Sequence, residues 1–96
     1  MKTTPATCPI EKVATILCDT WTMLIMHNLI EGPKGFCELE RALDGISTRT
    51  LTLKLKKLAA DGMISKRADG QYTTTSKGKG LRLVESAMKR YQKKYL

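Results

Sequence analysis

One stretch of the chain, residues 36–67, limits most strongly the folds that it can adopt. The stretch holds a short helical pattern from Phe36 to Leu43, a turn at Asp44-Gly45, and a basic helical pattern that stops at Asp61-Gly62. Ser47 or Thr48 can cap the second helix by accepting hydrogen bonds from its free N–H groups. Two helices joined by so short a turn are typical of a helix-turn-helix.

The sequence after the second helix predicts a β-hairpin. Residues 63–68 and 71–75 have the composition of two strands, and Asp69-Gly70 between them suits the positive φ of a two-residue type I′ turn. A helix-turn-helix that continues directly into a hairpin is a winged helix-turn-helix. The predicted fold class is therefore mainly α with a small β-hairpin.

Three more helices are predicted outside this stretch. One starts after Pro9, one is capped by Asp19 or Thr20 and ends before Gly32-Pro33, and the last runs from Ser76 to Tyr95. The second of these is apolar on two sides, which is typical of a helix that is buried on two sides. Because 96 residues suit one core, residues 1–96 are expected to form a single winged-helix domain.

Charge is distributed unevenly along the chain. Residues 1–45 carry six acidic and four basic side chains, whereas residues 46–96 carry three acidic and thirteen basic ones. Such a basic half is expected of a surface that meets phosphates, although a merely soluble basic surface has the same composition. No apolar run approaches the roughly 18–20 residues that span a bilayer, and no secretory signal is visible, so a cytoplasmic protein with no membrane partner is expected.

The basic helix has two faces at 100° per residue. Leu51, Leu55 and Leu58 cluster on the side that is predicted to pack against the domain. The opposite side is basic and can enter a major groove, unless it is simply the solvated face of an amphipathic helix. The residues predicted to contact double-stranded DNA through this helix are Ser47, Thr48, Arg49, Thr52, Leu53, Lys56 and Lys57.

Four basic residues are predicted to contact phosphates: Lys66 and Arg67 in the first predicted wing strand, and Lys77 and Lys79 beside the turn that follows the hairpin. Such contacts position a duplex without reading its sequence.

The last helix carries apolar residues at spacings of three and four, which is the seam of a helix pair. The seam could pack on the domain's own core or against a second copy of the chain. We predict a two-fold homodimer in which the first and last helices are the dimerisation helices. The predicted interface residues are Ile10, Val13, Leu17, Leu81, Val84, Met88, Tyr91 and Tyr95.

The cysteines and the single histidine do not form a metal pattern. Cys8, Cys18, His27 and Cys37 are about ten residues apart, which matches no compact zinc motif, so neither a metal nor another cofactor is expected. Cys18 and Cys37 are interpreted as buried packing residues, and His27 as partly buried. Cys8 precedes the first helix, where free N–H groups can favour a thiolate, although Glu11 opposes this effect.

Several motifs resemble those of the HxlR-type helix-turn-helix regulators, a branch of the MarR-like winged helices. The resemblance covers nearly all of residues 8–88 in order and spacing. The matching segments are Cys8-Pro9-Ile10-Glu11, Trp21-Thr22, Gly32-Pro33, Phe36-Cys37-Glu38-Leu39, Leu43-Asp44-Gly45-Ile46-Ser47, Leu51-Thr52-Leu53-Lys54-Leu55-Lys56-Lys57-Leu58, Asp61-Gly62-Met63-Ile64 and Tyr72-Thr73-Thr74-Thr75.

This resemblance implies a homodimeric transcriptional regulator. It also implies that Cys8, which matches a cysteine that senses oxidants or electrophiles in several such proteins, is a candidate sensor of a small oxidant or electrophile. The wing departs from the family pattern because Asp69-Gly70 leaves almost no tip, so Lys66 and Arg67 are expected to reach only the DNA backbone.

Three functions follow from the sequence in order of preference. The first is a homodimeric regulator that binds specific double-stranded DNA and responds to thiol modification. The second is a winged helix that binds another protein, with Leu53 in an apolar docking face. An enzyme that uses Cys8 is the least favoured, because no base is placed to activate that cysteine.

Overall fold

A computed structural model describes residues 8–17 and 19–96 of the chain. These residues form six helices and one two-stranded antiparallel sheet, which confirms the predicted winged helix-turn-helix. In chain order the elements are α1 (Pro9–Leu17), α2 (Thr20–Glu31), α3 (Phe36–Ala42), α4 (Thr48–Ala60), β1 (Ile64–Lys66), β2 (Tyr72–Thr74), α5 (Ser76–Lys79) and α6 (Arg82–Tyr95).

Side-chain caps begin two of the helices where the sequence predicted them. Asp19 caps α2, because its Oδ1 accepts a hydrogen bond from the backbone N–H of Thr22 at 2.8 Å. Ser47 caps α4, and its Oγ accepts from the backbone N–H of Thr50 at 3.0 Å. Each cap satisfies an N–H group that has no partner inside its helix. Of the two candidates for each helix, the structure selects Asp19 and Ser47.

The centre of the domain is α2. Its Ile25 and Met26 are completely buried, and the helix contacts α1, α3, α4, α5 and β2. This arrangement confirms that α2 is buried on two sides. The core residues around it are Leu29, Leu39, Leu43, Leu51, Leu55, Leu58, Met63, Ile64 and Leu81.

The strands of the wing hairpin are shorter, and the turn between them is longer, than the sequence predicted. Ile64 pairs with Thr74 and Lys66 with Tyr72, and the N–H of Arg67 donates to the carbonyl of Gln71 at 2.7 Å. This register leaves three residues, 68–70, in the connection, so the predicted two-residue type I′ turn is wrong. The N–H of Gly70 donates to the carbonyl of Arg67 at 3.0 Å and Gly70 has a φ of 87°, as in three-residue hairpin loops.

The C-terminal region forms two helices instead of the single predicted one. Thr75, and not Ser76, caps α5, because its side chain accepts from the backbone N–H of Gly78 at 3.1 Å. Gly80 and Leu81 separate α5 from α6, and the N–H groups of Leu81 and Leu83 donate to the carbonyls of Gly78 and Gly80, three residues earlier. Leu81 lies at this break between the two helices and packs into the core, where its exposed fraction is 7%.

Within the described residues, no single helix is both long and apolar enough to cross a membrane. Only α1 and α2 taken together pass such a test by length and composition, and they do so as a sharply bent pair.

Candidate nucleic-acid interface

The two faces of α4 differ sharply in exposure. Leu51, Leu55 and Leu58 are buried in the core, whereas Arg49 and Lys56 are exposed. Leu53 lies on the same outward side and is 54% exposed. The helix is thus anchored by one stripe of leucines, and it presents a mixed basic and apolar surface to solvent. We call Arg49, Leu53 and Lys56 the outward face of α4.

Three hydroxyl groups at the start of α4 are engaged by the domain itself. The hydroxyl of Thr48 donates to Glu40 Oε2 at 2.5 Å, and that of Thr52 donates to the carbonyl of Thr48 at 2.8 Å. Ser47 Oγ donates to Thr50 Oγ1 at 2.9 Å in addition to its capping bond. Ser47, Thr48 and Thr52 therefore fix the N-terminal turn of α4, and their oxygens remain acceptors.

Lys57 is held at the other end of the helix. Its Nζ lies 2.8 Å from Asp61 Oδ2, and Lys77 Nζ donates to the carbonyl of Asp61 at 2.7 Å. Within the part of the chain that the structure describes, neither Arg49 nor Lys56 has an acidic group at ion-pair distance. The positive charges of the outward face are therefore those of Arg49 and Lys56.

The two basic residues of the wing are exposed but partly engaged. Lys66 Nζ stands 5.7 Å from the centroid of the Tyr72 ring, which is within the range of a cation–π contact. Arg67 Nη2 lies 3.3 Å from Asp69 Oδ2. Because Asp69 belongs to the short turn, it places an acidic group beside the only guanidinium of residues 63–75.

A contact that the sequence reasoning missed joins α4 to the start of α2. Lys54 Nζ donates to Asp19 Oδ2. The pKa of Asp19 is lowered from 3.8 to about 2, chiefly by the hydrogen bond from Lys54 and secondly by the hydrogen bond from the backbone N–H of Thr22. The partners are 35 residues apart, so no helical spacing could reveal the pair. The available signal was that Lys54 flanks the buried leucine stripe.

The predicted dimer residues fall into three groups by burial. Ile10, Val13, Met88, Tyr91 and Tyr95 are exposed, with Ile10 at 77%, and the rings of Tyr91 and Tyr95 are 4.9 Å apart. Leu17 and Val84 are half-buried against the core. Leu81 differs from the prediction, because the break between α5 and α6 turns it into the core of its own domain.

An apolar hollow of about 220 Å³ lies between α2 and α6 beside these residues. Its walls are formed by Met23, Leu24, His27, Glu85, Met88 and Lys89. His27 is exposed rather than partly buried as the sequence suggested, and its Nδ1 lies 3.2 Å from Glu85 Oε2. This contact links α2 to α6 outside the core.

The cysteines lie in different surroundings. Cys8 is half-buried, and its carbonyl accepts from the N–H of Lys12 at 3.1 Å, which places it at the start of α1. Cys37 is exposed, so its interpretation as a packing residue is wrong: α3 turns Phe36 and Leu39 toward the core and Cys37 away from it. Cys18 lies outside the described residues. No group of three potential metal ligands occurs among residues 8–17 and 19–96.

Comparison with known proteins identifies the family. A model of the HxlR-like helix-turn-helix matches residues 16–96. An HTH-type transcriptional regulator of Synechocystis, sll1512, is 33% identical in an alignment of 87 positions that covers 84% of this chain and 64% of that relative. The chain thus spans slightly less than two thirds of that relative's length.

Solved structures have the same architecture. Quinone-bound YodB from Bacillus subtilis is similar with a TM-score of 0.85 and 31% identity, covering 93% of this chain and 100% of that one. The redox regulator HypR in its reduced form is similar with a TM-score of 0.80 and 27% identity, covering 91% of this chain and 92% of that one. With its winged helix and its matched residues 16–96, the chain belongs to the HxlR-like helix-turn-helix family of transcriptional regulators.

Proposed function

We propose that this regulator acts in the cytoplasm as a homodimer that binds a specific sequence of double-stranded DNA. The observation that carries the proposal is the outward face of α4, where Arg49, Leu53 and Lys56 are exposed opposite a fully buried leucine stripe. An arginine can donate two hydrogen bonds to guanine, a lysine can neutralise a phosphate, and a leucine can contact a thymine methyl. Lys66 and Arg67 are proposed to contact the backbone beside this site.

The homodimer is proposed from the apolar residues that α1 and α6 leave exposed. Ile10, Val13, Met88, Tyr91 and Tyr95 are apolar or aromatic side chains on two helices that flank the domain. A two-fold pair would bury them and would hold two copies of α4 about one helical turn of DNA apart, roughly 34 Å. Leu81 is not part of this proposal, because it is a core residue.

A response to thiol modification is the finer part of the proposal. Cys8 stands at the start of α1, eight residues before the first residue that the family model matches. Free N–H groups at a helix start favour a thiolate, and the solved relatives include a quinone-bound YodB and a reduced HypR. We propose that the Cys8 thiolate adds to a ring carbon of a quinone-type electrophile: one S–C bond forms, the C=C π bond breaks, and the resulting enolate takes a proton from water, which balances the proton that the thiol released.

Selection of bound duplexes from random DNA tests the main proposal. The purified chain is expected to enrich a sequence with two related half-sites. The logarithm of its binding constant for that duplex is expected to fall linearly with the logarithm of salt concentration. Enrichment of no sequence would contradict the proposal. Because Leu53 is exposed, that result together with salt-independent binding of another protein would favour the alternative of a protein-interaction module.

A further inference from the structure

One side chain of α4 reaches beyond the helix-turn-helix to the corner between α1 and α2. Lys54 Nζ donates to Asp19 Oδ2, and Asp19 Oδ1 accepts from the N–H of Thr22 at 2.8 Å. The same carboxylate therefore holds both the first turn of the central helix and the middle of α4. Any rotation of α4 against α2 must stretch this contact.

Lys54 lies on the opposite side of α4 from the outward face, so it cannot contact the same duplex as Arg49 and Lys56. At 100° per residue it is about 140° from Arg49 and about 160° from Lys56 around the helix axis. It flanks the buried leucines, and only 26% of its side chain is exposed. Lys54 is thus placed to orient the helix rather than to touch a duplex.

The leucine stripe and the ion pair constrain α4 in different ways. Burial of Leu51, Leu55 and Leu58 fixes how deeply the helix sits, but apolar packing has little directionality. A charge-assisted hydrogen bond on one flank is directional and opposes a small roll of the helix. Since both partners are partly exposed, the pair is expected to add little to stability. The main effect of the ion pair should therefore be on the orientation of α4 rather than on the free energy of unfolding.

Asp19 also borders the open groove between α1, α2 and α6, whose other walls are Ala14, Leu17, Thr20, Met23, Leu24 and Met88. Met88 belongs to the proposed dimer surface. We propose that the Asp19–Lys54 pair is the positioning contact that sets the orientation of α4 relative to the dimer surface, so that two outward faces meet two half-sites in register. This inference rests on the proposed DNA-binding function.

Two single variants that change net charge in opposite directions test the role of the pair. Asp19→Asn keeps an N-cap side chain but removes the negative charge, and Lys54→Met removes the positive charge but keeps an unbranched side chain. For each protein, affinity is measured for the selected duplex and for a random duplex of equal length. We expect both variants to lower the ratio of the two affinities about tenfold, comparable to the loss of one base-pair contact.

Two further variants serve as controls. Lys54→Arg keeps the charge and is expected to restore most of the ratio. The double variant Asp19→Asn/Lys54→Met is expected to lose no more than either single variant, because both remove the same interaction. Helix content and melting temperature of every variant establish that the measurements report on folded protein.

Simple electrostatics predicts a different result. If the pair has no positioning role, Lys54→Met weakens binding to the selected and the random duplex equally, and Asp19→Asn strengthens binding to both equally. The ratio of the two affinities then stays constant. That outcome would overturn the inference while leaving the proposed function intact. A wild-type protein that prefers no duplex would overturn the proposed function, and this inference with it.

Discussion

A Cβ atom added to Gly78 would lie only 2.1 Å from the carbonyl oxygen of Met63, so α5 packs directly on the backbone that leads into β1. The methyl of Met26 would be the next neighbour, at 3.1 Å. Backbone cannot move aside as a flexible side chain can. Glycine is therefore required here by close approach of two chain segments.

Gly78→Ala should lower the free energy of unfolding by about 1–3 kcal/mol, the usual cost of overfilling a packed site. Gly35→Ala is the matched control, because its added Cβ would meet only Glu38 Oε1 at 3.6 Å, an ordinary contact distance. Urea unfolding followed by circular dichroism measures both variants. Equal midpoints for the two would contradict the close contact between α5 and Met63.

The lowered pKa of Asp19 predicts a specific dependence of stability on acid. The folded protein favours the Asp19 carboxylate, whose pKa is about 2 against 3.8 when unperturbed. Its contribution is therefore complete above pH 3.8 and is lost as the pH falls toward 2. The difference in unfolding free energy between wild type and Asp19→Asn should shrink over this interval.

Lys54→Met gives the control for this acid dependence. It removes the largest cause of the shift and leaves the backbone N–H of Thr22 as a partner. Its acid dependence should fall between those of wild type and Asp19→Asn. If all three proteins lose stability in parallel between pH 5 and pH 2, Asp19 does not carry the effect.

The proposed dimer predicts that a charge on the apolar face of α6 will separate the subunits. Met88→Glu places a carboxylate where a partner would bury it without a counter-ion, at a considerable cost. Leu83→Glu is the control on the same helix, about 140° away, at a position that is 80% exposed. Sedimentation equilibrium at micromolar concentration should give two chains for wild type and Leu83→Glu, and one chain for Met88→Glu. A wild-type mass of one chain would refute the dimer.

Modification of Cys8 and modification of Cys37 by an electrophile should have different effects on DNA binding. Both are accessible to some degree, since Cys8 is half-buried and Cys37 is exposed, so benzoquinone is expected to modify Cys37 as well. Only modification of Cys8 should weaken binding to the selected duplex, because Cys8 adjoins α1 of the proposed dimer. Cys37→Ser should keep the response and Cys8→Ser should lose it. A response that follows Cys37 instead would assign the sensor to α3.

Local patterns predicted α2 and α4 together with their caps because the relevant physics spans only a few residues. Asp19 and Ser47 cap the helices that follow them, and Leu51, Leu55 and Leu58 are buried as their spacing predicted. The HTH and the wing therefore follow from periodicity and turn residues. The length of the hairpin turn did not, because the register is fixed by pairing across the strands.

Features that depend on distant contacts were beyond sequence reasoning. The apolar spacing of residues 81–95 could not reveal that Leu81 faces its own core, since Leu81 lies at the break between α5 and α6. The exposure of Cys37 depends on how α3 rotates to bury Leu39. The Asp19–Lys54 contact joins segments 35 residues apart. Such contacts are decided by packing of helices, which no local pattern encodes.

The central claim is that the outward face of α4 reads the DNA sequence. The base preference of Arg49→Ala tests this claim most directly. Removal of the guanidinium should cost about 1–3 kcal/mol on the selected duplex and relax preference at one base pair. Lys56→Ala should weaken binding to all duplexes equally. It should also reduce the dependence of affinity on salt by the amount expected for the loss of about one phosphate contact. Arg90→Ala, an equal loss of charge on α6, should leave base preference intact.

The result that this account predicts is a change of base preference confined to Arg49→Ala among these three variants. Wild-type affinity and unchanged base preference in a folded Arg49→Ala protein would contradict the assignment of α4 as the helix that reads DNA.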